Sequence, residues 1–310
     1  MENARVLVTG GAGFIGSVLA NRLAPRNDVL VVDDLSLGTT DNLVDDVEFL
    51  EASVLDPDLT DTVRDRLGGV DALFVFAALS SRDMHDEEPQ RGVRVNVEGF
   101  VNSVEVARDL GCETVVYASS SSVYGTRERP SPESLSVRPR TRYEASKLAR
   151  EQYASAYAEE NCSVTGLRYF SVYQGFGGNE AHKGGYANTV SQFADAIARG
   201  ESPVVFGDGT QTRDFLHVED AVRATELVAD QRLSGIYNVG TGEAYSFNEM
   251  IDLFNGAFGT DVEPEYIDVP YDDYVYHTRA DPSKLEAATG WEPRIDFETG
   301  IERVCRPYLE

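Results

Sequence analysis

Tyr143 and Lys147 stand four residues apart in Arg142-Tyr143-Glu144-Ala145-Ser146-Lys147. On a helix that spacing puts both side chains on one face. A free phenol has a pKa of about 10 and is a poor base at neutral pH. A fixed ammonium beside it favours the phenolate and draws the pKa toward a working range. Such a pair can exchange a proton with a carbinol. The same spacing also occurs on ordinary amphipathic helices, so its meaning depends on what the remaining chain builds around it.

Arg5-Val6-Leu7-Val8-Thr9 is a short β-branched run, expected as a buried strand. It leads into Gly10-Gly11-Ala12-Gly13-Phe14-Ile15-Gly16, with a helix expected from Ser17 to Leu23. Glycines at 10, 13 and 16 permit a tight turn, close approach of backbone to a pyrophosphate, and close helix–strand packing. Gly10, Gly13, Phe14, Ile15 and Gly16 are the expected contacts. A second strand, Val29 to Val32, ends at Asp33-Asp34, where a carboxylate can hold an adenosine ribose, and Asp33 is the expected contact. A carboxylate repels a 2′-phosphate, and Leu35-Ser36-Leu37 offers no arginine to hold one, so NAD is expected rather than NADP.

Strands are also expected at Val47–Leu50, Ala72–Phe76, Thr114–Ala118 and Val164–Phe170, with helices from Gly92 to Leu110 and from Tyr143 to about Glu160. Ala77 and Ala78 follow a strand's carboxyl end, where open parallel sheets bind ligands, and are expected at the cofactor. The alternation implies an α/β fold, a Rossmann-type doubly wound parallel sheet over residues 1–170. The pattern then loosens into a smaller C-terminal substrate-binding lobe, residues 171–310, with some segments returning to the Rossmann domain. There Ser171 to Ala187 is Gly-rich and polar, a loop over the substrate. Helices are expected at Thr189–Arg199, Glu219–Asp230, Ser246–Phe258 and around Lys284, the last closed by Trp291-Glu292-Pro293.

The 53 acidic residues against 27 basic ones leave a net charge of −26, which argues against nucleic acid as a partner. Hydrophobic residues make up 42% of the chain, enough for a core and against disorder. The only lysines are Lys147, Lys183 and Lys284. A solvated acidic surface suits a salt-rich cytoplasm, where screening over a few ångströms removes its self-repulsion. Cys112, Cys162 and Cys305 form no ligand cluster, so no metal is expected. The N-terminus runs directly into a strand, and no apolar run approaches the ~20 residues a membrane span needs, so a cytoplasmic protein without a membrane partner is expected.

The chain resembles the extended short-chain dehydrogenase/reductases of the nucleotide-sugar epimerase/dehydratase group. The resemblance rests on Thr9 to Gly16, Ser119-Ser120-Ser121-Ser122-Val123-Tyr124-Gly125, Tyr143/Lys147, Arg168-Tyr169-Phe170 and Gly207 to Phe215. It implies a tightly held NAD, contacted also by Tyr143 and Lys147, a nucleotide-sugar substrate, and a homodimer through a four-helix bundle. It implies a catalytic set of Ser120, Tyr143 and Lys147. It also implies substrate contacts at Ser121, at Ser171, at Asn188 toward the nucleotide, and at Arg213 toward the diphosphate; a guanidinium suits paired phosphate oxygens. An ion pair of Arg213 with Asp214 is the alternative.

Within the group, dehydratases and decarboxylases resemble one another in a carboxylate two residues before Tyr-Gly. Ser122 holds that place here, so simple redox epimerisation is expected, of the UDP-glucose 4-epimerase type. Asn179-Glu180-Ala181-His182-Lys183-Gly184 resembles instead the Glu-x-His-Lys-Gly segment of ADP-heptose 6-epimerases, where Lys183 would be a second acid/base or a diphosphate grip. An NAD-dependent dehydrogenase on the same scaffold is a further alternative. Three departures bear on the substrate. Ser171 stands where 4-epimerases carry Asn, and Ser53 where an adenine-contacting Asp is usual. The customary late arginine falls near Tyr271, with Arg279 as the candidate substitute.

Overall fold

The computed structural model describes residues 1–158 and 162–310. β1 (Arg5–Thr9) has Val6, Leu7 and Val8 fully buried, as a strand covered on both faces requires. It turns at Gly10 into α1 (Phe14–Leu23), which starts inside the glycine segment rather than at Ser17. β2 (Asp28–Asp33), β3 (Glu48–Glu51), α2 (Leu59–Leu67) and β4 (Ala72–Val75) follow. α3 (Arg82–Glu87) and α4 (Pro89–Val93) lead through a π turn, Arg94–Glu98, into α5 (Gly99–Asp109). The single helix expected from Gly92 to Leu110 is therefore three pieces. A π turn departs from the 3.6-residue period, and Asn96 at its middle is fully buried.

β5 (Thr114–Ala118), α6 (Arg142–Tyr157) and β6 (Ser163–Tyr169) come next. Ala158 caps α6, and its expected reach to Glu160 lies outside the described residues. β7 (Ser171–Tyr173) and a 3-10 turn at Ala181–Tyr186 occupy the segment expected to be loop. Then come α7 (Thr189–Ala198), β8 (Val204–Phe206), β9 (Thr212–Arg213), β10 (Phe215–His217) and α8 (Val218–Asp230). β11 (Gly235–Val239), β12 (Tyr245–Ser246), α9 (Phe247–Phe258), β13 (Glu265–Ile267) and α10 (Ser283–Thr289) precede the last helix, α11 (Phe297–Leu309). Helices were expected to finish at Trp291. Instead Asp296 caps α11, accepting the Thr299 N–H at 2.7 Å, and Phe297, Ile301, Val304 and Cys305 bury one stripe.

Among the described residues seven strands form the central sheet in the order β11-β6-β5-β4-β1-β2-β3, parallel in every pairing from β3 to β6. The order reverses between β1 and β4, and at such a switch point the carboxyl ends of the strands open a crevice. The chain divides into two units. One comprises Met1–Val123, Arg138–Arg168 and Val222–Tyr237, and the other Tyr124–Val137, Tyr169–Ala221 and Asn238–Glu310. The core of the first gathers Leu7, Leu30, Leu73, Phe100 and Tyr117; that of the second Phe193, Phe215, Met250, Phe254, Phe297 and Ile301. Among the described residues no helix is long and apolar enough to cross a membrane.

Candidate active site

At the switch point Gly10 has φ +71°, and an added Cβ would lie 2.2 Å from the Ala77 nitrogen. Gly16 packs equally close, its Cβ position 2.4 Å from the Gly10 carbonyl. Only glycine permits either approach. At Gly13 an added Cβ would meet only the Gly10 carbonyl, at 3.3 Å. Gly13 is the N-cap of α1, without a side-chain cap and without an acid in the first turn. A helix start of that kind, including Phe14 and Ile15, offers N–H groups and a positive dipole end to an anion.

Asp33, at the end of β2, accepts N–H bonds from Ala12 at 3.1 Å and Leu35 at 2.9 Å, so its carboxylate is fixed against the glycine turn. Asp34 is exposed and bonds only its local turn, to Ser36 N–H at 3.0 Å. Burial pushes the Asp33 pKa up, against the pull of those N–H bonds. Leu35 takes a left-handed φ of 53°, unusual for a branched side chain, to complete this turn. Ala77 sits over Thr9, its N–H bonded to the Thr9 carbonyl at 2.9 Å, and Ala78 follows it, half-buried. Turn, open helix end and fixed carboxylate fit a dinucleotide.

α6 supplies Tyr143 and Lys147 from one face, as the spacing requires. The Lys147 ammonium lies 5.6 Å from the centre of the Tyr143 ring and donates to the Ala118 carbonyl at 3.0 Å. Ser120 hydrogen-bonds Tyr143, and its hydroxyl also meets that of Ser122 at 2.9 Å. Ser121 opens the short 3-10 turn beside them. The phenol differs from expectation in one respect. Burial raises its pKa, and the groups that pull it down are the Ser120 hydroxyl and the charge of Arg150, while Glu144 pushes it up. Lys147 is itself held well below its usual range by burial and by Arg150.

Several partners of this set were not anticipated. Asn96 bonds the Leu79 N–H at 2.8 Å and the Leu79 carbonyl at 3.1 Å, and reaches Ser146 Oγ at 3.0 Å. Ser146 in turn donates to the Tyr143 carbonyl at 2.7 Å. His85 stands edge-on to the Tyr143 ring, centroids 5.6 Å apart. Glu151 takes a bidentate pair from Arg168, at 2.8 and 2.6 Å, and the Ser119 hydroxyl at 2.6 Å.

The second unit carries the other expected residues. Ser171 lies in β7, paired with Phe215 of β10. Asn188 is the N-cap of α7: its oxygen accepts the Val190 N–H at 3.1 Å and its amide donates to the Val172 carbonyl at 3.1 Å. Arg213 lies 5.5 Å from both the Phe247 and Tyr274 ring centres and donates to the carbonyls of Thr212 and Tyr276, at 2.9 and 3.1 Å. The alternative pairing with Asp214 does not form. That carboxylate is fully buried and accepts from Thr241, Gly242 and Ala280 at 2.8–2.9 Å. Arg279 is exposed and bonds the Gly242 carbonyl at 2.6 Å. Lys183 is half-buried, and burial lowers its pKa while Glu180 raises it.

A parallel switch-point sheet with this glycine turn defines a dinucleotide-binding α/β protein. Residues 6–240 match the family model of the NAD dependent epimerase/dehydratase family. A UDP-glucose 4-epimerase of Mycolicibacterium smegmatis is 35% identical, with 96% of each chain covered. An ADP-L-glycero-D-manno-heptose-6-epimerase of Alkalilimnicola ehrlichii is 36% identical over 98% of this chain and 96% of its own. The crystal structure of a Thermus thermophilus UDP-glucose 4-epimerase complexed with NAD superposes with a TM-score of 0.86 at 30% identity, covering 98% of this chain and 99% of that one. The chain belongs to the NAD-dependent epimerase/dehydratase family: it is an enzyme of the nucleotide-sugar epimerase type, and NAD is its cofactor.

Proposed function

We propose that the enzyme interconverts UDP-glucose and UDP-galactose at carbon 4. The observation that carries this reading is the turn after β5, where Ser120 and Ser122 bond each other and no carboxylate stands at 121 or 122 to expel water. Tyr143, as phenolate, takes the proton of the sugar 4-hydroxyl, with Ser120 holding that oxygen. The Gly10–Gly16 turn, Asp33, Ala77, Ala78 and Lys147 would hold NAD, which would supply reversible hydride acceptance at carbon 4. Tyr143 then gives its proton back, so no outside reductant is consumed. Arg213 holds the diphosphate; its aromatic neighbours fix the plane of its fork. Asn188, Ser121 and Ser171 complete the substrate contacts. The working form is a homodimer in a salt-rich cytoplasm.

A second reading, an ADP-heptose 6-epimerase, draws support from Lys183. Its lowered pKa and the staple that Glu180 makes around its loop suit an acid/base as well as a phosphate grip. A panel of nucleotide sugars with NMR product analysis decides between them. Tyr143→Phe is expected to lose about a hundred- to ten-thousandfold in kcat. Lys183→Ala is expected to raise KM while leaving kcat within a few-fold. A collapse of kcat in Lys183→Ala, with turnover confined to the heptose nucleotide, replaces the first reading by the second. Net NADH formation with excess NAD would make the enzyme a dehydrogenase instead.

A further inference from the structure

α6 continues its reactive stripe one step beyond Lys147. Positions 143, 147 and 150 follow i, i+4, i+7, so Arg150 rises from the same face. Helical side chains lean toward the N-terminus, which carries a long guanidinium back along the turn that bears Tyr143. Arg150 has no exposed surface at all. Its Nη2 donates to the Ala77 carbonyl at 2.6 Å, at the carboxyl end of β4. Its Nε donates to the Asn96 carbonyl, inside the π turn. A π turn breaks the i→i+4 ladder and can free a carbonyl for such a donor. Its guanidinium carbon lies 5.7 Å over the Phe100 ring.

Nη1 of Arg150 is buried with no hydrogen-bond partner among the described residues. The two carboxylates of α6 nearest in sequence are engaged elsewhere: Glu144 with Arg140 at 2.7 Å, Glu151 with Arg168 at 2.6 Å. Two buried basic groups, Lys147 and the Arg150 guanidinium, therefore stand on one face with both carboxylates of α6 engaged elsewhere. Such a pair is costly unless a negative charge joins it. Tyr143, on the same face of α6, is the group whose negative charge acts most strongly on Arg150.

We propose that Arg150 is a positioning residue of the hydride-transfer centre, whose uncompensated charge biases Tyr143 toward phenolate while its fork fixes the Ala77 and Asn96 carbonyls. The proposal rests on the reading of Tyr143 as the proton-exchanging group. Arg150 is pushed down to about 10 by burial, and Tyr143 is the largest of the charges that push it back up. Glu144 on α6 and Ser120 after β5 also act on the phenol, the first raising and the second lowering its pKa; Lys147 on α6 and His85 on α3 face its ring, each 5.6 Å from the ring centre. Tyr117 on β5 faces Arg150 and shares its field.

The test is the titration of Tyr143 itself, read as the chemical shift of carbon-13-labelled tyrosine in the NAD-loaded protein, its signal assigned by loss in Tyr143→Phe. Arg150→Gln keeps two donors and loses the charge; Arg150→Lys keeps the charge and loses the fork. The Tyr143 midpoint is expected to rise by about one pH unit or more in Arg150→Gln and by less than half of that in Arg150→Lys. Epimerase kcat at neutral pH should fall about tenfold in Arg150→Gln with KM little changed. An unchanged midpoint in Arg150→Gln overturns the proposal, and so does an equal rise in both variants. Should Arg150→Gln fail to fold, Arg150→Lys decides alone: a preserved midpoint supports the proposal and a rise of a full unit overturns it. The titration needs no sugar, so its outcome does not depend on which nucleotide sugar is the substrate.

Discussion

Gly10 is a position where one methyl group separates a working turn from a broken one. Its backbone is left-handed, and the space a Cβ would need is filled by Ala77 backbone. Gly10→Ala is expected to cost about 1–3 kcal/mol in stability and at least tenfold in NAD affinity, read by thermal melting and by calorimetric titration with NAD. Native-like NAD binding by that variant would mean the turn does not hold the cofactor. The tight turn at Gly10, the carboxylate of Asp33 at the end of β2 and the shared face of Tyr143 and Lys147 were legible in the sequence because each is a local geometry: a glycine spacing, a strand end, a helical step. Arg150 was half-legible, since it continues the same step, but its burial was not. Asn96 was invisible, because the π turn that carries it obeys neither regular period.

Among the elements, β1, β2, β4 and β5 were readable as apolar runs because both faces of those strands are covered, whereas β11 was not read as a strand. α11 lies beyond the expected end at Trp291-Glu292-Pro293 although its apolar stripe is clear, and its Pro307 falls in the last turn. The segment from 171 to 188 draws the eye to its lysine, and its organiser is a different residue. Glu180, fully buried, accepts the N–H groups of Gln174, Gly175 and Asn188 at 3.0, 3.3 and 2.6 Å and the Ser191 hydroxyl at 2.7 Å. This ties β7's exit to the start of α7. Glu180→Ala leaves several buried donors unsatisfied and should cost about 2–4 kcal/mol, seen as an earlier urea midpoint and faster amide exchange across 174–191. An unmoved midpoint would show that the carboxylate is dispensable to that element.

For the molecule as a whole, a net charge of −26 makes self-repulsion a term that ions can remove. Molar KCl is expected to raise the melting temperature by several degrees, roughly 1 kcal/mol or more for a chain of this size; equal stability with and without salt would end the inference of a salt-rich setting. That charge was fully legible from composition; the chain's two units are woven from separated segments. Residues 222–237 return to the first unit late and bring β11 to the outer edge of β6. β6 is buried along all seven of its residues. During synthesis that strand must wait, uncovered on one side, until some seventy further residues have left the ribosome. A gene fragment stopped at Phe170 should therefore yield sticky, chaperone-bound material rather than a free nucleotide-binding half, as gel filtration of the expressed fragment would show.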